Sequence, residues 1–217
     1  MFLGHHAAAL AAKNLTPRTS LGTLIAAATL LDLAWPILLL LGVERVRVAP
    51  GNTAFTPLDF IDYPWTHSLA LVVLWSVLFA LAYRLKTKFT HGAIAVGILV
   101  ASHWFLDYLA HRPDLPLYPG GRKVGMGLWM SVFATVIVEV VLFLTATYIY
   151  LRSTRARDKI GSIGLWAYVI FLLVVFAANA TTTPPNDWRA IAWGAMAAWL
   201  FVPWAWWIDR HREALVA

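Results

Sequence analysis

The third long apolar segment of the chain ends in a stripe of ionisable residues. His103, Asp107 and His111 follow one another at intervals of four residues, so a helix places them along one face. A histidine and a carboxylate one turn apart can bind one divalent cation together. The structural alternative is a hydrogen-bonded polar stripe at a helix contact, but ionisable groups in apolar segments need partners. The stripe therefore predicts a metal site.

Further ionisable residues in apolar surroundings are expected to reach the same depth. By helical rise, Asp32 and His103 each lie about 18–20 Å from the basic ends of their segments. His5 lies near the tip of a short N-terminal segment, and His67 opens the second long one. The predicted metal ligands are His5, Asp32, His67, His103 and Asp107.

Five nitrogen and oxygen ligands suffice for one metal ion with vacant coordination positions. Whether a second metal ion binds is left open. The chain has no cysteine, which excludes a thiolate site. We therefore expect a hydrolytic divalent metal, zinc first, with manganese or magnesium as alternatives.

Polar residues around these ligands are candidates for acid–base chemistry and substrate binding. The candidates for the catalytic base are Asp62, His111 and Glu139. For Glu139, a structural partnership with Asn179 or a tryptophan indole is the alternative. The loop after the stripe carries the cations Arg112, Arg122 and Lys123, which suit an anionic substrate such as a phosphate group. A proline-rich cap with solvated charges is the alternative for this loop.

The composition places these residues in a membrane protein. The 217-residue chain is 60% hydrophobic and 13% charged, about half the charged fraction of a soluble domain. Soluble enzymes, disordered regulators and nucleic-acid modules are therefore disfavoured. Twelve tryptophans and a net charge of +6 fit aromatic and basic belts at membrane surfaces. The expected partner is membrane lipid and not nucleic acid, and a homo-oligomer is left open.

Six apolar segments are each long enough to cross about 30 Å of hydrocarbon as a helix. They are 20–41, 65–83, 91–110, 126–151, 161–180 and 188–208. Pro36 and Pro203 fall inside two of them and predict kinks. Residues 2–13 predict a half-length helix. The predicted fold is an all-α, polytopic membrane helix bundle of about six transmembrane helices plus this half-helix, forming a single domain over 1–217.

The distribution of Lys and Arg predicts the orientation of the bundle. Eleven of these residues fall on one side of the predicted spans and six on the other. The positive-inside rule then places loops 84–90 and 152–160 and both termini in the cytoplasm. Loops 42–64, 111–125 and 181–187 face outward, on the side where the metal ligands are expected.

Several motifs resemble those of a bacterial family of inner-membrane predicted metal-dependent hydrolases, the SOS-inducible YdjM-like family. They are Gly4-His5, the Asp32 span, Thr66-His67-Ser68-Leu69, and Ser102-His103-x3-Asp107 followed by Pro116-Leu117-Tyr118-Pro119. The resemblance covers about residues 1–125 and leaves 126–217 as additional spans. It implies a bacterial inner-membrane location, metal-dependent hydrolysis, and a ligand role for His5, Asp32, His67, His103 and Asp107.

Two positions depart from the family pattern. Asp62-Tyr63-Pro64-Trp65-Thr66-His67 stands where the family often has His-Arg-Gly-x-Thr-His, so that Asp62 replaces a histidine. Asp32 stands alone where family members often carry two aspartates, which argues against a second metal ion.

Three functions are compatible with these observations. The first is a membrane-embedded, metal-dependent hydrolase that acts on a lipid or lipid-linked phosphoester and opens to the extracytoplasmic side. The second is a metal-ion or small-solute transporter or channel that uses the same His/Asp residues, because discontinuous helices near the midplane are typical of transporters. The third is a non-catalytic membrane subunit in which the polar residues fix helix packing.

Overall fold

The computed structural model describes residues 1–183 and 185–215, and helices dominate these ranges. The α-helices are α1 (Phe2–Leu15), α2 (Leu21–Ala28), α3 (Leu30–Leu40), α4 (Pro64–His67), α5 (Leu69–Thr87), α6 (Thr90–Ala110), α7 (Val132–Ser153), α8 (Lys159–Thr181), α9 (Trp188–Ala195) and α10 (Phe201–Arg210). Short 3-10 turns lie at Leu128–Met130 and Met196–Leu200. The strands form three antiparallel pairs: β1 (Arg45–Val48) with β2 (Leu58–Asp62), β3 (Leu115–Pro116) with β4 (Lys123–Val124), and β5 (Thr154–Ala156) with β6 (Arg212–Ala214).

The helix lengths confirm the predicted membrane bundle. Helices α5, α6, α7 and α8 and the continuous stretch Trp188–Arg210 are each long and apolar enough to span a membrane. Helices α2 and α3 together form a sixth candidate span, which is bent by 54°. The predicted loop 181–187 and the C-terminus at 217 include residues outside the described ranges.

Two predicted span boundaries shift in the structure. The second span begins at Leu69 and not at 65, because Ser68 adopts extended backbone and makes α4 a separate turn. The fourth span begins at Val132 and not at 126. Gly127 has a φ of +79° there, and the Ser131 side chain accepts a hydrogen bond from the Ala134 amide, which fixes the helix start.

The kinks predicted at Pro36 and Pro203 do not occur at these prolines. The first span bends at Thr29, whose hydroxyl donates to the carbonyl of Ile25 at 2.8 Å, and α3 continues through Pro36. A hydroxyl that bonds back to the preceding turn is a common cause of helix bending. Pro203 lies in the first turn of α10, where its missing amide proton is not needed.

Helix α1 is the predicted half-helix, and it begins in the interior of the bundle. Its 14 residues span about 21 Å, too short to cross a membrane. It packs against α2, α6 and α7, with Leu3 and Leu10 fully buried. At its other end, the Lys13 ammonium lies 2.8 Å from the carboxylate of Asp209. This ion pair ties the end of α1 to the end of α10.

The loops gather at two ends of the bundle. We call one the basic end; it comprises residues 16–20, 84–90, 152–159 and 209–215, joined by the β5–β6 pair and by Arg18 stacked over Phe89 at 4.5 Å. The other, which we call the site end, comprises residues 41–68 and 111–131. There the Phe55 amide donates to the Trp129 carbonyl at 3.0 Å. Ten of the eleven basic residues that set the predicted orientation therefore lie together, and the eleventh, Lys13, pairs with Asp209 at the same end.

The close packing of α2 against α10 depends on Gly22. A Cβ atom at this position would lie 2.6 Å from the Cβ of Trp206 and 2.9 Å from the backbone oxygen of Val202. We expect Gly22→Ala to lower the free energy of unfolding by about 1–3 kcal/mol, measured by denaturant unfolding in detergent. Gly194→Ala is the control, because a Cβ there meets no atom within 4 Å. Equal stability of both variants would contradict this packing.

Candidate metal centre

Five ionisable side chains from four helices converge inside the bundle near the site end. We call them the His/Asp cluster: His5 on α1, Asp32 on α3, His67 on α4, and His103 and Asp107 on α6. The Nε2 atoms of His5 and His103 lie 3.2 Å and 3.1 Å from the Asp107 carboxylate. That of His67 lies 3.6 Å from both Asp107 and Asp32. The structure thus brings together all the residues that the sequence nominated as ligands.

The spacing of these atoms suits a shared divalent cation. Asp32 lies 3.6 Å from His103 Nε2 and 3.8 Å from His5 Nε2. Ligand atoms at about 2.0–2.1 Å from a tetrahedral zinc ion are themselves about 3.4 Å apart. The two carboxylates carry two negative charges, which one divalent cation would neutralise. The donor set is therefore suitable for one such ion, with neutral imidazole nitrogens completing its coordination.

Burial of the cluster is uneven. The three histidines and Asp107 have side chains at most 4% exposed, whereas the Asp32 side chain is 41% exposed. The α-amino group of Met1 also contacts Asp107 from the interior. The open side of the cluster therefore lies at Asp32.

His103 on α6 is oriented by the break in the first span. His103 Nδ1 lies 2.9 Å from the carbonyl of Ala28, the last residue of α2. Because a carbonyl only accepts, Nδ1 carries the proton and Nε2 presents its lone pair to the cluster. The His5 ring stacks on His103 with 3.7 Å between centroids and 3° between planes. The bend at Thr29 thus has a role in the site.

A buried hydrogen-bond chain orients His67 in the same way, and sequence reasoning missed it. The Thr66 amide and hydroxyl donate to the two oxygens of Glu44 at 2.9 Å and 2.8 Å. Since the hydroxyl proton is used there, the Thr66 oxygen accepts from His67 Nδ1 at 2.6 Å. We call this arrangement the Glu44–Thr66–His67 chain. Burial raises the pKa of Glu44 above its usual value, although the bonds from Thr66 oppose that shift.

His111 lies beside the cluster in a buried hydrogen-bonded group of its own. Its Nδ1 lies 2.9 Å from the Asp114 carboxylate, to which the Tyr63 hydroxyl also donates at 3.3 Å. The His111 and His67 ring centroids are 6.5 Å apart. Burial lowers the pKa of His111, so the ring is neutral at neutral pH. With Nδ1–H bound to Asp114, its Nε2 is free to accept a proton.

Glu139 has a partner that the sequence did not indicate. Its Oε2 accepts from the backbone amides of Leu3 and Gly4 at 2.6 Å and 3.3 Å. It therefore caps the start of α1 and fixes the height of His5, the residue after Gly4. These bonds replace the expected partnership with Asn179 or a tryptophan. The other oxygen, Oε1, is buried without a hydrogen-bond partner among the described residues, so the role of Glu139 as a catalytic base stays a prediction.

The structure does not bring Asp62 to the cluster. As the last residue of β2, Asp62 pairs in register with Arg45 and binds its guanidinium at 3.3 Å on the exposed side of the hairpin. The following residue, Tyr63, is fully buried. The position of Asp62 is thus a consequence of strand geometry that the motif alone did not reveal.

Two of the three predicted substrate-binding cations line a cleft of about 540 Å³ at the site end, together with Arg47. Arg112 binds Asp59 at 2.7 Å and Asp114 at 3.2 Å, and Lys123 donates to the carbonyl of Ile61 at 3.0 Å. Arg122 is exposed and is not part of the cleft lining. Because Asp114 also binds His111, the cleft adjoins the His111 group and not the cluster itself.

Comparison of the chain with protein-family models, curated proteins and solved structures gave no match. The family resemblance of residues 1–125 and the ligand roles of the cluster therefore stay predictions, now with a geometry that can be tested.

The role of Glu139 as a helix cap predicts a loss of stability when its acceptor oxygens are removed. Glu139→Leu leaves two buried amides without a partner, and we expect the free energy of unfolding to fall by about 1–3 kcal/mol. Glu139→Gln keeps one acceptor oxygen and should lose less. Denaturant unfolding in detergent measures both. Equal stability of Glu139→Leu and the unchanged protein would refute the capping role.

Proposed function

We propose that this membrane protein binds one divalent metal ion, zinc first, at the His/Asp cluster and is a metal-dependent hydrolase. The observation that carries the proposal is the convergence of three imidazole Nε2 atoms on two carboxylates, with N···O distances of 3.1–3.8 Å. Such a concentration of ionisable groups in an apolar bundle is costly unless it has a functional role. The absence of cysteine from the chain is consistent with a nitrogen and oxygen donor set.

A divalent ion in this cluster would polarise a scissile group and lower the pKa of water toward neutrality. His5, Asp32, His67, His103 and Asp107 would hold it. His111, whose tautomer is set by Asp114, would accept a proton beside the cluster. The exposed side of Asp32 gives a path for the reacting part of the substrate.

A lipid or lipid-linked phosphoester is the substrate class that we propose. A site reached from within a bundle of apolar helices is suited to a substrate that resides in the membrane. Arg112 and Lys123 in the adjoining cleft would attract an anionic headgroup. By the charge distribution, the site end faces the extracytoplasmic side of the membrane, and the family resemblance of residues 1–125 implies that this is a bacterial inner membrane.

A metal-ion transporter is the second candidate, and two features favour it. Helix α1 is a half-helix that begins in the interior, and α2 and α3 form a broken span whose break contacts His103. Discontinuous helices of this kind commonly surround transport sites. In this candidate the same cluster would bind an ion in transit.

The first expected result is one bound divalent ion per chain, measured by elemental analysis of the purified protein. His103→Ala and Asp107→Ala should weaken zinc binding by more than about 100-fold, since each removes a donor atom. His211→Ala is the matched control, because that histidine binds Asp158 at the basic end. Unfolding curves identify any variant that fails to fold.

Hydrolysis and transport are then separated with the metal-loaded protein. The hydrolase proposal predicts cleavage of a phosphoester lipid in a panel, which His103→Ala abolishes. Zinc flux into proteoliposomes without cleavage would support the transporter instead. A folded protein that binds no zinc, manganese or magnesium would contradict both candidates.

The Glu44–Thr66–His67 chain gives a sharper prediction. Glu44→Leu removes the acceptor that holds Thr66, so His67 loses its fixed orientation, and zinc affinity should fall about 10–100-fold. Glu44→Gln retains an acceptor and should lose less. Asp62→Asn changes an exposed carboxylate of the same loop, and we expect unchanged affinity. If Asp62→Asn weakens zinc binding as much as Glu44→Leu, the assignment of the chain is wrong.

A further inference from the structure

A second pocket, which we call the basic pocket, lies at the basic end between the start of α2 and the end of α10. Its volume is about 380 Å³. The cations that line it are Lys13, Arg18, Arg157, Arg210 and Arg212, with Asp209 and Glu213 as the lining carboxylates. It lies at the opposite end of the bundle from the cleft at Arg112 and has no residue in common with it.

Two of these cations have structural partners and form the buried floor of the pocket. Lys13 donates to the carbonyl of Thr19 at 3.0 Å and pairs with Asp209 at 2.8 Å. Arg212 donates to the carbonyl of Gly161 at 2.8 Å and to Thr154. These bonds join the ends of α1, α8 and α10, so the floor is fixed by the fold itself.

The cations at the rim are held differently. Arg18 lies 4.5 Å above the Phe89 ring and Arg210 lies 3.9 Å above the Trp206 ring. Within residues 1–183 and 185–215, neither guanidinium has a carboxylate at salt-bridge distance, and both residues are exposed. Stacking on an aromatic face fixes a guanidinium while its N–H donors stay free for an oxyanion.

The surrounding charge favours an anion at this end. Ten basic residues but only three acidic ones, Asp158, Asp209 and Glu213, belong to the basic end. The site end carries five basic and four acidic residues. Because fields of exposed charges add, the excess of cations attracts anions to the basic pocket and not to the opposite surface.

The position of the pocket at the ends of the membrane-spanning helices indicates that the anion belongs to a lipid. Helices α5, α7 and α10 end at this level, and α2, α6 and α8 begin there. The indole rings of Trp206 and Trp207 are exposed beside the pocket, as is common where a protein meets lipid headgroups. Lipid phosphates lie at this depth, and their acyl chains can follow the apolar surface of α10.

We propose that the basic pocket binds the phosphate headgroup of an anionic phospholipid, with Arg18 and Arg210 as its ligands. Arginine pairs with phosphate through two parallel hydrogen bonds, and basic pockets between membrane helices bind such headgroups. This site is independent of the His/Asp cluster and of any hydrolysis there.

Native mass spectrometry of the full chain tests the proposal with phosphatidylglycerol and phosphatidylcholine in equal amounts. Each rim arginine should favour the anionic lipid by about fivefold, so that phosphatidylglycerol adducts predominate. The double variant R18Q/R210Q should bind both lipids equally. Equal binding of the two lipids by the unchanged protein would overturn the proposal.

A matched variant separates the pocket from general surface charge. K86Q/K88Q removes two exposed cations of the same end that do not line the pocket, and it should keep the preference. If K86Q/K88Q loses the preference as fully as R18Q/R210Q, the pocket is not a specific site. Inorganic phosphate at the same concentration should not displace the lipid, and displacement would contradict the lipid assignment.

Discussion

A carboxylate between apolar helices is stable in its charged form only when opposite charge or hydrogen-bond donors surround it. Asp107 is such a carboxylate, and the rest of the bundle is arranged to supply its partners. Three histidines and the Met1 amino group converge on it from α1, α4 and α6 itself. Asp32 adds a second carboxylate to the same group of imidazoles. The other unusual features of the fold serve to bring these partners to one place.

Each unusual element delivers one of those partners. The half-helix α1 carries His5 into the interior, where Glu139 caps its first turn. The break at Thr29 exposes a carbonyl that orients His103. The separate turn α4 brings His67 to the cluster, and Glu44 fixes its ring through Thr66. A regular six-helix bundle would supply none of these positions, because continuous helices satisfy their own backbone groups.

Much of this architecture follows from the sequence. The low fraction of charged residues predicts the membrane bundle. The few ionisable residues within apolar segments, such as Asp32 and His103, predict which side chains meet. Helical rise sufficed for that step because depth along a span is nearly linear in residue number. The short apolar segment before Pro17 likewise predicts a helix too short to span.

The remaining parts depend on contacts that sequence spacing does not encode. Glu44 is 22 residues from Thr66 and belongs to a loop, so no periodicity links them. Glu139 binds backbone amides, which every residue except proline has, and a search for side-chain partners therefore missed them. Asp62 was expected near the cluster from its place in a motif, but it pairs with Arg45 across the β1–β2 hairpin. The bend occurs at Thr29 and not at Pro36, because a side-chain hydroxyl bonds to the preceding turn.

The proposed binding of one metal ion at the His/Asp cluster, through imidazole and carboxylate donors, can be measured by zinc K-edge X-ray absorption of the zinc-loaded protein. We expect nitrogen and oxygen ligands at about 2.0–2.1 Å, with outer scattering from two or three imidazole rings. Loss of one ring in His67→Ala would assign that signal to the cluster. A zinc spectrum without imidazole scattering would contradict the proposal.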